Sequence, residues 1–121
     1  MPPCDVIFFR ERDGSVPVLE WLDGLPAKAK AKCLVRIRRL GQEGHALRRP
    51  EADYLRDDVY ELRIDLGGIH YRVLYSFHGT AQAVLSHGLI KRRIVPPGEI
   101  DLAVVRRQAF AAHPQRHTHR E

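Results

Sequence analysis

The stretch Val59-Tyr60-Glu61-Leu62-Arg63-Ile64-Asp65-Leu66-Gly67-Gly68-Ile69-His70-Tyr71-Arg72-Val73-Leu74-Tyr75-Ser76-Phe77 decides the fold. Tyr60, Leu62 and Ile64 alternate with Glu61, Arg63 and Asp65, the period of a strand with one face in a core. Ile69, Tyr71, Val73, Tyr75 and Phe77 repeat that pattern against His70, Arg72 and Ser76. Gly67-Gly68 offers the positive φ angles of a tight hairpin, and Gly79 marks the next reversal. A third run, Ala83 to Ile90, is apolar except near Ser86 and His87, which suits a strand covered on both sides. The spacing therefore predicts a three-stranded meander with an apolar face and a face rich in arginine and histidine.

Working outward, Val6 to Phe9 reads as a first strand. Ser15 is expected to cap a short helix with Pro17 in its first turn and an apolar stripe of Val18, Leu19, Trp21 and Leu22, Trp21 being placed in the core. A second helix is expected from Pro26 or Ala27 to about Leu40, with Ala29, Cys33, Ile37 and Leu40 on its buried side and Gly41 and Gly44 at its end. Lys28, Lys32, Arg36 and Arg39 line a neighbouring face, as a solvated helix surface or a phosphate-contacting one. Residues 45–58 show no clear period, and Pro50 argues against a helix there. Pro96-Pro97 ends the last strand of the meander, and a final helix runs to about Ala111 with Ile100, Ala103, Val104 and Phe110 on its apolar side. The expected fold is α+β: a small twisted antiparallel sheet with two N-terminal helices on one face and a C-terminal helix. One domain spans 1–112, and 113–121 is expected to be a disordered polar tail.

At 121 residues the chain is long enough for a single core. Its net charge of +5 leans towards a polyanionic partner. No segment is apolar enough for a membrane span or signal peptide, so a cytoplasmic protein without membrane contact is expected. Cys4 and Cys33 have no metal-ligand or redox spacing, and no P-loop, GxSxG or HExxH motif occurs. No metal and no cofactor are expected. What is left is cationic: Arg63 and Arg72 on one sheet face with Glu61 and His70, and Lys91, Arg92 and Arg93 at the end of the next strand. Guanidinium groups so gathered bind phosphate bidentately and stabilise charge growing on it. The alternative is a charged face that serves solubility alone.

The blocks Val59-Tyr60-Glu61-Leu62-Arg63, Tyr71-Arg72-Val73-Leu74-Tyr75, Leu85-Ser86-His87-Gly88-Leu89-Ile90-Lys91-Arg92 and Pro96-Pro97-Gly98-Glu99-Ile100, followed by Ala103, resemble the RelE/HigB toxins of bacterial type II toxin–antitoxin systems, and within them the phage-derived HigB-like branch. The resemblance runs to about Arg107. It implies a RelE-like fold and a ribosome-dependent endoribonuclease that cuts mRNA by attack of a 2′-OH on the adjacent phosphate. It also implies a cognate helix-turn-helix, HigA-like antitoxin, expected to dock on the two N-terminal helices around Trp21. By that resemblance Arg63 and Arg72 bind or stabilise phosphate, with Arg72 central, and Lys91 and Arg92 belong to the basic motif after the last strand. Lys28, Lys32, Arg36, Arg39, Arg48, Arg49 and Arg93 would hold ribosome or RNA. Better-known RelE members carry lysine where this chain has Glu61, and tyrosine where it has Ile100. The proton-transfer role therefore stays open among Glu61, His70 and His87. Two other readings stay open as well: a ParE-like toxin that binds a protein target such as gyrase, and an inactive phage remnant that binds only its antitoxin.

Overall fold

The computed structural model describes residues 4–121. In chain order the elements are β1 (Asp5–Phe9), α1 (Pro17–Asp23), α2 (Ala27–Glu43), β2 (Ala52–Arg56), β3 (Val59–Leu66), β4 (Ile69–His78), β5 (Gln82–Lys91), α3 (Pro97–Ala112) and β6 (Thr118–His119), with single 3-10 turns at Gly44–Ala46 and Pro114–Arg116. The six strands form one sheet in the order β2-β3-β4-β5-β1-β6. Every pairing is antiparallel except β1 with β5, which is parallel. The fold is α+β, and the meander at its centre is β3-β4-β5.

Alternation decides which side each residue faces. Leu62, Ile64, Tyr71, Val73, Tyr75, Ala83 and Leu85 form the main core with Val18 and Leu22 of α1 and Ala29, Cys33, Ile37 and Leu40 of α2. The opposite, outer face is also covered, by α3. Val59, Leu74 and Leu89 meet Val95, Ile100 and Ala103, while Ile7, Phe9 and Val84 meet Phe110. Two apolar layers on one sheet explain why β5 reads as almost continuously apolar. A β-bulge sets its facing: Leu74 pairs with His87 and Tyr75 with Leu85, so Ser86 is the extra residue. Because of it His87 shares the outer face with Leu74, and Gly88 turns inward under Trp21 of α1.

Several local expectations are corrected. Ser15 does not cap α1: Val16 holds the N-cap position without a side-chain cap. The Ser15 N–H and hydroxyl both donate to Asp13 Oδ1, at 2.9 and 2.7 Å, in a turn that ends before the helix begins. Trp21 is half-buried at the edge of the core. Helix α2 continues through Gly41, where the bare Cα lets β1 approach: a Cβ would lie 3.2 Å from Val6 Cγ2. The helix stops at Gly44, whose φ of 54° lies in the left-handed region. The segment 45–58 contains strand β2, joined to β3 by Asp57 and Asp58 at φ 51° and 63°. Aspartate tolerates that region and here builds a two-residue hairpin without glycine. The tail 113–121 is ordered rather than frayed. β6 pairs with β1, the Arg10 N–H donates to the His117 carbonyl, and the His117 ring stacks on Phe9 at 4.7 Å.

Candidate functional site

The charged residues of the outer face gather towards the end where β3 finishes, β4 starts and β5 runs out. Glu61, Arg63 and Asp65 line this end from β3, His70 and Arg72 from β4, and Lys91 from β5. Register places Arg63 directly opposite Arg72, Asp65 opposite His70, and His70 opposite Lys91.

Two neighbouring guanidinium groups would repel, and the fold inserts carboxylates between them. Arg63 Nη1 donates to Glu61 Oε2 at 3.3 Å, and Arg72 Nε stands 3.5 Å from Glu61 Oε1 as an ion pair without a hydrogen bond. Arg72 Nη1 donates to Asp65 Oδ1 and to the Tyr71 carbonyl, both at 2.9 Å. Asp65 Oδ1 also meets His70 Nδ1 at 2.8 Å. Partial burial raises the Asp65 pKa, but the bonds from Arg72 and His70 outweigh it and hold the carboxyl at about 2. The result is a neutral lattice of two acids and two arginines with an imidazole at its edge.

This arrangement corrects three expected roles. Arg72 is 1% exposed and spends its guanidinium on Glu61, Asp65 and a carbonyl, so it is an anchor and not an open phosphate ligand. Glu61 is buried against the two arginines. His87 is buried beneath α3: Nδ1 lies 2.8 Å from Ser86 Oγ, and Nε2 lies 3.4 Å from Glu99 Oε2 in the first helical turn. Of the three proton-transfer candidates only His70 opens to solvent, with its side chain 45% exposed.

The open cations lie at the rim. Arg92 and Arg93 are exposed and Lys91 is half-buried, and among the described residues none has a carboxylate within ion-pair distance. Arg63, two strands away on β3, keeps 22% of its side chain exposed. The α2 surface is less available than its composition suggests. Arg36 and Arg39 both pair with Glu51, and Arg36 also donates to the Arg63 carbonyl. Lys32 Nζ donates to the Asp65 carbonyl at 3.4 Å, so the helix braces β3 from the inner side. Arg48 donates to the carbonyls of His45 and Leu47, and Arg49 pairs with Asp53 at 2.7 Å. Lys28 stands exposed. Among the described residues no cluster of side chains is arranged to hold a metal ion, and no helix is long and apolar enough to cross a membrane.

Sequence reasoning missed Asp65, Glu99 and Glu51. For Asp65 the signal was present: a two-residue turn at Gly67-Gly68 makes the residues flanking Leu66 and Ile69 a cross-strand pair. Glu99 and Glu51 come from distant parts of the chain and left no local pattern.

His87 also gives the protein a pH response. Burial pushes its pKa below that of a free imidazole, with Glu99 opposing and Arg106 reinforcing the shift. The unfolded chain then takes up the proton more readily than the folded one. Stability contributed by neutral His87 is complete above the unfolded value of about 6.5 and declines as pH falls through it. Urea denaturation on either side of that value should show the wild type losing stability on acidification and His87→Gln losing less. An equal loss in both proteins would place the titrating group elsewhere.

No curated protein matches the chain. Residues 20–108, from within α1 to within α3, match the family model of phage-derived Gp49-like proteins (DUF891), and the chain belongs to that family.

Proposed function

We propose that this chain is the toxin of a bacterial type II toxin–antitoxin pair and that it cuts mRNA on the ribosome. Membership of the phage-derived Gp49-like family is consistent with such a toxin. The observation that carries the catalytic reading is the run of cations Lys91, Arg92 and Arg93, free of carboxylate partners among the described residues, which begins opposite the solvent-facing imidazole of His70. A row of this kind receives a sugar-phosphate backbone, and the partly exposed Arg63 lies where it can share the charge of a pentacoordinate phosphate. The reaction joins the 2′-oxygen to phosphorus and breaks the P–O5′ bond, leaving a 2′,3′-cyclic phosphate and a 5′-hydroxyl. It needs no metal, because guanidinium and ammonium groups carry the charge. The cognate helix-turn-helix antitoxin docks on α1 and α2, where Leu34 and Val35 stand exposed, 40% and 60%, and leaves the outer face uncovered.

Inducible expression followed by mapping of mRNA 5′ ends tests this reading. Cuts in phase with translated codons are expected. DNA damage without cuts would indicate a gyrase-directed toxin, and absence of any effect would indicate a remnant that binds only its antitoxin. Arg92→Glu with Arg93→Glu should weaken ribosome binding and reduce the salt slope by about one per lost phosphate contact. An unchanged slope would remove these residues from the interface.

A further inference from the structure

We propose that Asp65 and His70 form the proton-transfer pair of this site, His70 taking the proton from the attacking 2′-hydroxyl and Asp65 positioning it, with Arg72 as the anchor of Asp65. The inference rests on the reading of the site as an RNA-cutting one. Gly67 and Gly68, at φ 59° and 79°, close the hairpin so that Asp65 and His70 face each other across it. One oxygen of Asp65 receives both His70 Nδ1 and Arg72 Nη1, at 2.8 and 2.9 Å. A carboxyl held at about 2 is ionised at neutral pH and can only accept. The proton of the neutral ring must then sit on Nδ1, which leaves the lone pair on Nε2. Among the described residues Nε2 has no partner, and the ring edge is open to solvent.

The charged groups around the imidazole are Asp65 and Arg63 from β3, Arg72 from its own strand and Lys91 opposite it on β5. Lys32 of α2 reaches the Asp65 carbonyl from the other side. A substrate phosphate held by Arg63 and Lys91 would bring its 2′-hydroxyl to the ring edge. The 2′-O–H proton passes to Nε2 as the 2′-O–P bond forms. The 5′-oxygen leaves with a proton from water, and the imidazolium returns its own to the resulting hydroxide. Arg72 stays beneath Asp65 throughout, which gives a buried arginine a part in the reaction without contact with RNA.

Two measurements on the full chain test the pair. Long-range proton–nitrogen correlation spectra of the imidazoles should show neutral His70 protonated on Nδ1 in the wild type, and on Nε2 in Asp65→Asn, because free imidazole side chains favour that form. Single-turnover cleavage on programmed ribosomes should slow by roughly 10²–10⁴-fold in His70→Gln, which leaves the Asp65–Arg72 bond in place. Wild-type His70 protonated on Nε2 would overturn the pair. The expected tautomer with undiminished cleavage by His70→Gln would overturn its catalytic role. The expected tautomer in a wild-type protein that cuts no RNA would overturn the functional reading, and the proton-transfer role with it.

Discussion

Arg72→Ala should destabilise the protein by about 3–5 kcal/mol, the cost of removing one partner from a buried ion pair. The substitution strips Glu61, itself buried, of one of its two cationic neighbours and frees Asp65 from its anchor. It also deletes the largest of the fully buried side chains and leaves a void opposite Leu89 on the neighbouring strand. Thermal unfolding should shift down by roughly 10–20 °C for a chain of this size. An open phosphate ligand, the role that the family resemblance implies for Arg72, could be removed at a cost to activity alone. The position of the side chain reverses that order: loss of fold comes first. A melting temperature for Arg72→Ala within a few degrees of wild type would mean that the guanidinium is not buried in solution.

Gly88→Ala should cost about 1–3 kcal/mol or more, although alanine is the smallest possible addition to a strand. A Cβ there would lie 2.1 Å from Cδ2 and Cε3 of Trp21 and 2.6 Å from Cε2. These are atoms at the middle of a flat ring, not the end of a flexible chain. The Tyr71 ring, its centroid 6.3 Å from that of the indole, stands in the way of a sideways shift. Accommodation therefore needs α1 to lift from β5. The backbone of Gly88 lies outside the left-handed region, so the whole penalty is steric. Trp21→Leu introduced into Gly88→Ala should restore part of the stability, a coupling readable from a double-mutant cycle in urea. Simple additivity of the two substitutions would show that the ring does not rest on Gly88.

The sequence by itself determined the meander, the two hairpin glycine turns and which residues of β3 and β4 face the core. Period-two alternation over Tyr60 to Phe77 leaves no other assignment, since a shift of one residue would expose every aromatic ring. It also determined the buried stripe of α2 and the start of α3 at Pro97, because helical spacing and proline act locally. Strand β2 escaped because its hairpin turns on Asp57-Asp58, a weak turn signal. The tail escaped because its order comes from β1 and Phe9, more than a hundred residues earlier in the chain. The candidate site divides in the same way. That Arg63, Arg72, Glu61 and His70 share one face was legible, for facing depends only on parity along a strand. Which of them meets solvent depended on where α3 lies and on carboxylates that neutralise the arginines. Burial and ion pairing are properties of the assembled layers. Only the tertiary structure could make Arg72 an anchor, close off Glu61 and His87, and leave His70 and the rim cations open to solvent.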